Sequence, residues 1–258
     1  MRNRTGWAGV GVVVLWLSIG PVWSDGGSPH AADAGGVEPV IRVKQEVEER
    51  LRSLLARVGL DYPLRDGITM LVFKEEKQLE LWAHTENGPR LVHRYPVLAM
   101  SGHGGPKRRR GDLQVPEGVY QLLWLNLNSA YHLSLKLDYP NTSDLLWAAE
   151  DGRTDLGGDI FIHGGASSVG CVAVGDAAIE ELFVLTLMAG DGPAEVIIAP
   201  YDFRRQPDRP VTMLDPVWLP TLYREIAARL SRYTLPVALE DSPSASPSPI
   251  MSFEEVHP

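Results

Sequence analysis

At Ile68 the hydrophobic period of the chain changes from helical spacing to two, and no other feature of the sequence limits the fold as strongly. Upstream, Val40, Val43, Val47, Leu51, Leu54, Leu55 and Val58 recur at helical spacing, with Glu46, Glu48, Glu49 and Arg52 between them. Gly59 is placed to end that helix. Downstream, alternating runs at 68–73, 78–84 and 90–98 are separated only by Lys74-Glu75-Glu76-Lys77 and by the segment holding Asn87-Gly88-Pro89. Those runs predict strands joined by short turns.

A glycine-rich, charged loop follows at 101–116, then strand patterns at 118–125 and 130–135 and a loop-like stretch at 138–158, broken by Pro140-Asn141 and Gly157-Gly158. Ile160-Phe161-Ile162 reads as an apolar strand ending at His163. A helix is expected from Asp176 as N-cap to near Gly190, burying Ile179, Leu182, Phe183 and Leu187. One more buried strand at 195–199 precedes a second helix, on which Trp218, Leu222, Ile226 and Leu230 recur every four residues. Strand runs with helices set apart from them predict an α+β, mainly β domain rather than an alternating parallel sheet. The chain divides into an export or anchor segment at 1–34, a helix and linker at 35–66, a catalytic domain at 67–205, a helical extension at 206–239 and a Pro/Ser tail at 240–258. The tail is too polar to bury a core and is expected to be disordered.

Arg2 and Arg4 precede an uncharged apolar stretch from Trp7 to Val22, the pattern of an export signal, cleaved or retained as an anchor. Either form puts the domain outside the cytoplasm, with the membrane touched only through that anchor. A formal net charge of -9 argues against a nucleic-acid partner, since phosphate binding needs clustered Lys and Arg. Export also makes the single cysteine informative, because one thiol cannot form an internal disulfide.

That cysteine, Cys171, lies eight positions after His163, across a turn containing Gly164, Gly165 and Gly170. A thiol of pKa ~8.5 is only slightly ionised at neutral pH, so a nucleophilic cysteine needs a base beside it. A bend at those glycines would bring the imidazole to the sulfur, and the amides near Gly170 and Cys171 could face an oxyanion. Ser168 has two readings, a hydrogen bond inside the turn or an orienting role. The alternative is a packed cysteine near a histidine satisfied by a carbonyl. With neither a second cysteine nor a closely spaced histidine pair, no metal site is expected, and no cofactor. Lys107-Arg108-Arg109-Arg110 reads as a solvated loop before a grip on anionic substrate groups. His103 is read as an exposed loop histidine, and Trp82, Trp124, Trp147 and Trp218 as packing residues.

His163-Gly164 together with Ser168-Val169-Gly170-Cys171 resembles the signature of the L,D-transpeptidase (YkuD) family, closest to its YafK-like murein branch. Gly111-Asp112-Leu113-Gln114-Val115-Pro116-Glu117-Gly118-Val119-Tyr120 resembles a second family stretch. Tyr139-Pro140-Asn141 and Tyr201-Asp202-Phe203-Arg204 resemble further parts of that branch. The resemblance implies a mainly β catalytic sandwich or barrel with flanking helices. It also implies a Cys171 nucleophile forming a thioester on peptidoglycan peptides at meso-diaminopimelate, His163 as base, and oxyanion or orienting roles for Gly170, Ser168 and Gly164. By the same resemblance Tyr139, Asn141 and Arg204 are candidate substrate contacts. Many family members carry a second histidine where this chain has Val169 and an Arg or Asn where it has Ala173. Loss of both fits a transpeptidase with other substrate grips, an amidase or hydrolase releasing wall-tethered protein, or a wall-binding module without catalysis.

Overall fold

All six residues of strand β1 (Ile68–Phe73) are buried, so both of its faces need cover. Ile68, Met70 and Val72 belong to one apolar cluster and Leu71 and Phe73 to another, so the strand period of two divides the molecule into layers. The computed structural model describes residues 37–189, 192–207 and 216–235, with side chains from Gln45 onward. The export segment and the Pro/Ser tail expected from the sequence lie outside the described residues.

The first face is covered by helix α1 (Val37–Arg57), which contributes Val47, Leu51 and Leu55. The second face is covered by the C-terminal helix, which contributes Leu219, Leu222, Ile226 and Leu230. At roughly 1.5–3 kcal/mol per buried aliphatic side chain, that stripe alone explains why the C-terminal helix stays docked.

Nine strands form one mixed sheet: β1, β2 (Gln78–Ala83), β3 (Arg90–Pro96), β4 (Ala99–Met100), β5 (Gly118–Ser129), β6 (His132–Leu137), β7 (Phe161–His163), β8 (Val172–Ala173) and β9 (Ala194–Ala199). Their spatial order is β3-β2-β1-β9-β5-β6-β7-β8-β4. The pairs β1–β9 and β7–β8 are parallel and the rest antiparallel. β5 belongs to both halves of the sheet. Residues Gly118 to Gln121 pair with β9, and from Leu122 onward the strand pairs with β6 through a register shift between Leu122 and Trp124. The fold is α+β and mainly β, with α2 (Thr142–Glu150), α3 (Asp176–Met188) and α4 (Leu219–Leu230) completing it. Among the described residues no helix is long and apolar enough to cross a membrane.

Strands β4 and β8 are two residues each, too short to carry a period, and pair with one another, β8 also with β7. Three sequence expectations are corrected. Leu187, expected on the buried face of α3, is 56% exposed. Helix α2 lies inside the stretch read as loop: Asn141 caps it by accepting from the Ser143 and Asp144 amides, and Asp144 returns a carboxylate to the Asn141 amide. Asn-x-x-Asp here does the work of the commoner Ser/Thr-x-x-Glu box. Asp176 is not the N-cap of α3. Gly175 holds that position, and the Asp176 carboxylate turns back to accept from the Gly165 amide at 2.7 Å.

Candidate active site

Ile162 and Val172 are register partners in β7 and β8, and both face the apolar core together with Ile160 and Val174. Alternation then puts Phe161 and His163 on the opposite face. His163 pairs with Ala173, and Cys171 stands in the bend one residue before β8 begins, so alternation carried back from Ala173 puts the thiol on the same side as the imidazole. Short apolar strands thus hold His163 at the end of β7 and Cys171 at the entry to β8.

His163 is 3% exposed, and its ring lies against that of Tyr131 at 4.5 Å. Nδ1 is 2.6 Å from the Gly164 carbonyl oxygen. A carbonyl only accepts, so Nδ1 carries the proton and the neutral ring presents a lone pair at Nε2. Burial holds the imidazole pKa below its ordinary value, against the pull of that carbonyl. The ring is therefore neutral and available as a base at neutral pH.

Cys171 is half-buried, with its thiol 3.7 Å from the Asp159 carbonyl oxygen. Burial pushes the thiol pKa up and Asp159 adds to the rise, while a backbone hydrogen bond at Phe161 and the positive charge of Lys107 oppose it. At neutral pH the cysteine is a neutral thiol, which to act as a nucleophile would need a base.

The intervening turn is held by the Asp176 carboxylate at its start and by two serine hydroxyls at its end. Gly164 has no room for a side chain, since a Cβ there would come within 2.6 Å of both the Asp176 carboxylate and the Tyr131 carbonyl. Gly170 adopts a φ of 84°, which favours glycine. Ser168 Oγ accepts from the Cys171 amide at 3.0 Å and donates to the Cys171 carbonyl at 2.7 Å. The first of its two readings, hydrogen bonding inside the turn, is what the structure shows. The Gly170 amide donates to Ser101 Oγ at 2.6 Å. Both amides expected to meet an oxyanion thus already rest on hydroxyl oxygens.

Residues 68–198 match the model of the L,D-transpeptidase catalytic domain family, YkuD. The chain belongs to that family. It is 33% identical over 135 residues to YafK of Escherichia coli strain K12, provisionally named an L,D-transpeptidase, and equally to YafK of Escherichia coli O157:H7. The match takes in 50% of this chain and 52% of theirs, so the chain spans about half the length of the curated relatives it matches. Among solved structures, it is similar to the helical cell shape determining protein Pgp2 of Campylobacter jejuni, at 23% identity and a TM-score of 0.43, covering 58% of this chain and 55% of that one. Bd1075 of Bdellovibrio bacteriovorus is similar at 19% identity and a TM-score of 0.38, covering 66% and 56%.

The three candidate substrate contacts are held by the protein itself. Tyr139 is buried, with its hydroxyl donating to the Leu156 carbonyl. Asn141 caps α2 and also donates to the Val119 carbonyl. Arg204 is 10% exposed and is bound by Glu80, Asp202 and the Tyr233 carbonyl. The basic run is partly paired, and its three arginines are exposed as in a solvated loop. Lys107 is buried on Asp112, while Arg108 meets Asp151 and Arg110 meets Asp155, with Arg109 left exposed. His103 is exposed, with Nδ1 on the Gly104 carbonyl. Trp82 is buried and Trp147 stacks on Trp218, but Trp124 is exposed under the Lys136 ammonium and is not a packing residue. Tyr131, Ser101 and Asp176 were not legible as site residues. Tyr131 lies in the turn between β5 and β6, immediately before β6 begins, and Ser101 reaches the site from a distant part of the chain.

Proposed function

We propose that this chain is an exported, cysteine-dependent acyltransferase of L,D-transpeptidase type acting on peptidoglycan peptides at meso-diaminopimelate, with Cys171 as nucleophile and His163 as general base. The observation that carries the reading is the His163 tautomer: Nδ1–H is committed to Gly164, which leaves an unprotonated Nε2 on a strand whose parallel partner begins one residue after Cys171. In the first half-reaction Nε2 takes the thiol proton as sulfur bonds to the peptide carbonyl carbon. The C–N bond then breaks, the proton passes to the departing amine, and a thioester remains on Cys171. In the second, an incoming amine or water gives its proton to Nε2, attacks the thioester and restores the thiol.

The carbonyl oxygen of the tetrahedral intermediate would take the Gly170 and Cys171 amides from Ser101 and Ser168. Loss of one such donor costs ~10²–10³ in rate in other enzymes. Relatives named for this activity and for cell shape support the wall as the place of action and the periplasm or wall as the location.

A hydrolytic second reading has its own support. Val169 is 71% exposed and Ala173 is fully buried, so neither position offers a polar group to an incoming amine. Incubation of the purified protein with muropeptides should change their masses, new cross-links marking transpeptidation and shortened peptides marking hydrolysis. Cys171→Ala should abolish either change and the thioester adduct with a carbapenem. Turnover that survives the substitution would remove the mechanism, and a thiol that takes no adduct while the protein still binds sacculi would leave a wall-binding module.

A further inference from the structure

The 101–116 loop leaves the sheet after β4 and returns to it at β5. Its first residues line an open cleft of about 350 Å³ together with Lys74, Tyr201 and Tyr223. Hydrogen bonds hold this stretch in place. The Lys74 ammonium donates to the Gly105 carbonyl at 2.8 Å, the Val115 carbonyl at 3.0 Å and Glu117 Oε1 at 2.9 Å. The same Oε1 accepts from the Gly105 amide at 2.9 Å, and Oε2 accepts from the Tyr223 hydroxyl at 2.9 Å. Both polar groups of the Gly105 peptide unit are thus gripped by one buried ion pair, whose side chains are 5% and 0% exposed.

At the other end of this stretch the Ser101 hydroxyl donates to the Leu113 carbonyl at 2.7 Å and accepts from the Gly170 amide. Short bonds therefore run from α4, which lies outside the family match, to Gly105, and from Ser101 to the cysteine turn, and the backbone from Ser101 to Gly105 joins the two sets. Charge-assisted bonds in a dry setting are stronger than neutral ones, which makes the carboxylate the strong link.

We propose that Glu117 is a positioning residue for the oxyanion-binding amides: it ties Tyr223 of α4 to Gly105, and the loop so fixed sets the position of the Gly170 amide through Ser101. The C-terminal helix then serves the site without touching substrate. Only the kinetic part of this inference rests on Cys171 being the nucleophile.

Hydrogen exchange of the full chain, resolved to single amides, tests the coupling. Tyr223→Phe keeps the ring and removes the bond to Oε2. It should speed exchange at Gly105 and Gly170 on the order of tenfold, the effect of one lost hydrogen bond, and leave the amides between β1 and β9 unchanged. Ser101→Ala should speed exchange at Gly170 alone, and Ser101→Thr should restore it. With muropeptides, Tyr223→Phe should lower kcat and leave KM unchanged. An unmoved Gly170 amide in Tyr223→Phe, or faster exchange spread evenly over the sheet, would overturn the coupling. Unchanged kcat despite the expected exchange would overturn the positioning role. Absence of turnover in the unsubstituted chain would sink the Cys171 reading instead, and exchange would still decide the coupling.

Discussion

The cysteine turn and the far side of the sheet are built from different materials. Cys171 and the Gly170 amide meet two serine hydroxyls and a backbone carbonyl, the Asp176 carboxylate holds Gly165 further along the turn, and the side-chain charges of Lys107 and Asp159 act on the thiol through their fields. Around Arg204, a guanidinium, two carboxylates and the indole of Trp82 share one buried network: Glu80 accepts from Arg204, Arg94 and Trp82, and Asp202 accepts from Arg204. A charge beside the thiol would fix its protonation before substrate arrived. On the proposed mechanism, neutral groups against the thiol leave proton transfer to the imidazole, while the charges around Arg204 hold the fold.

The sharpest way to break that contrast is to remove the base. His163→Ala should lower kcat/KM for muropeptides by ~10²–10⁴, the usual worth of a positioned general base. In the intact protein, kcat/KM should fall on acidification with a midpoint below 6.5, because burial disfavours the imidazolium. Alkylation of Cys171 should climb through pH 9.0 and beyond, because burial disfavours the thiolate. A thiol that reacts at a constant rate from pH 6 to 8 would instead indicate a preformed thiolate–imidazolium pair, and the contrast would fail.

What could be read from the sequence follows the same division. The strands β1, β2 and β9 are legible because a period is local, written in consecutive residues, and the motif that proposes His163 and Cys171 is nearly as local. The substrate roles suggested for Tyr139, Asn141 and Arg204 rested on motif likeness, and whether a polar side chain faces a ligand or a neighbour depends on residues far off in sequence. Arg204 meets Glu80 124 positions away, and Ser101 meets Gly170 across 69. Helix α2 was missed for another reason. Its cap is local, but only Ala148 is buried, so no apolar stripe announces it.

Arg204 gives the next largest effect. Arg204→Met would leave Glu80 and Asp202 buried without their shared partner, a change that costs about 3–5 kcal/mol when a buried pair is broken. Urea unfolding should record that loss, while kcat/KM per folded molecule stays within twofold on the structural reading. A raised KM at unchanged stability would return Arg204 to the substrate.

Asp144 carries a smaller, pH-dependent contribution. Burial raises its carboxyl from 3.8 to about 6, against hydrogen bonds from the Asn141 amide and Tyr120. The folded protein thus holds this proton more tightly than the unfolded chain does. The group's contribution is full below 3.8 and is lost as pH rises through about 6, and the whole change is worth about 3 kcal/mol at most. Asp144→Asn should remove that part of the slope in unfolding free energy between pH 4 and 7. An unaltered slope would mean that the carboxylate is better solvated than its burial implies.

The smallest effect tests the same cap from its other end. Asn141→Ala removes the side-chain oxygen that accepts from the Ser143 and Asp144 amides and the donor to the Val119 carbonyl. Loss of an N-cap costs about 1 kcal/mol, so the unfolding midpoint should fall slightly with KM for muropeptides unchanged. The Val119 bond ties α2 to β5, the strand shared by both halves of the sheet, so an excess over the ordinary cap value would measure that tie. A KM that rises while stability holds would instead place Asn141 in a ligand contact, and the division between neutral contacts at the thiol and a self-satisfied polar frame would have to be redrawn around α2.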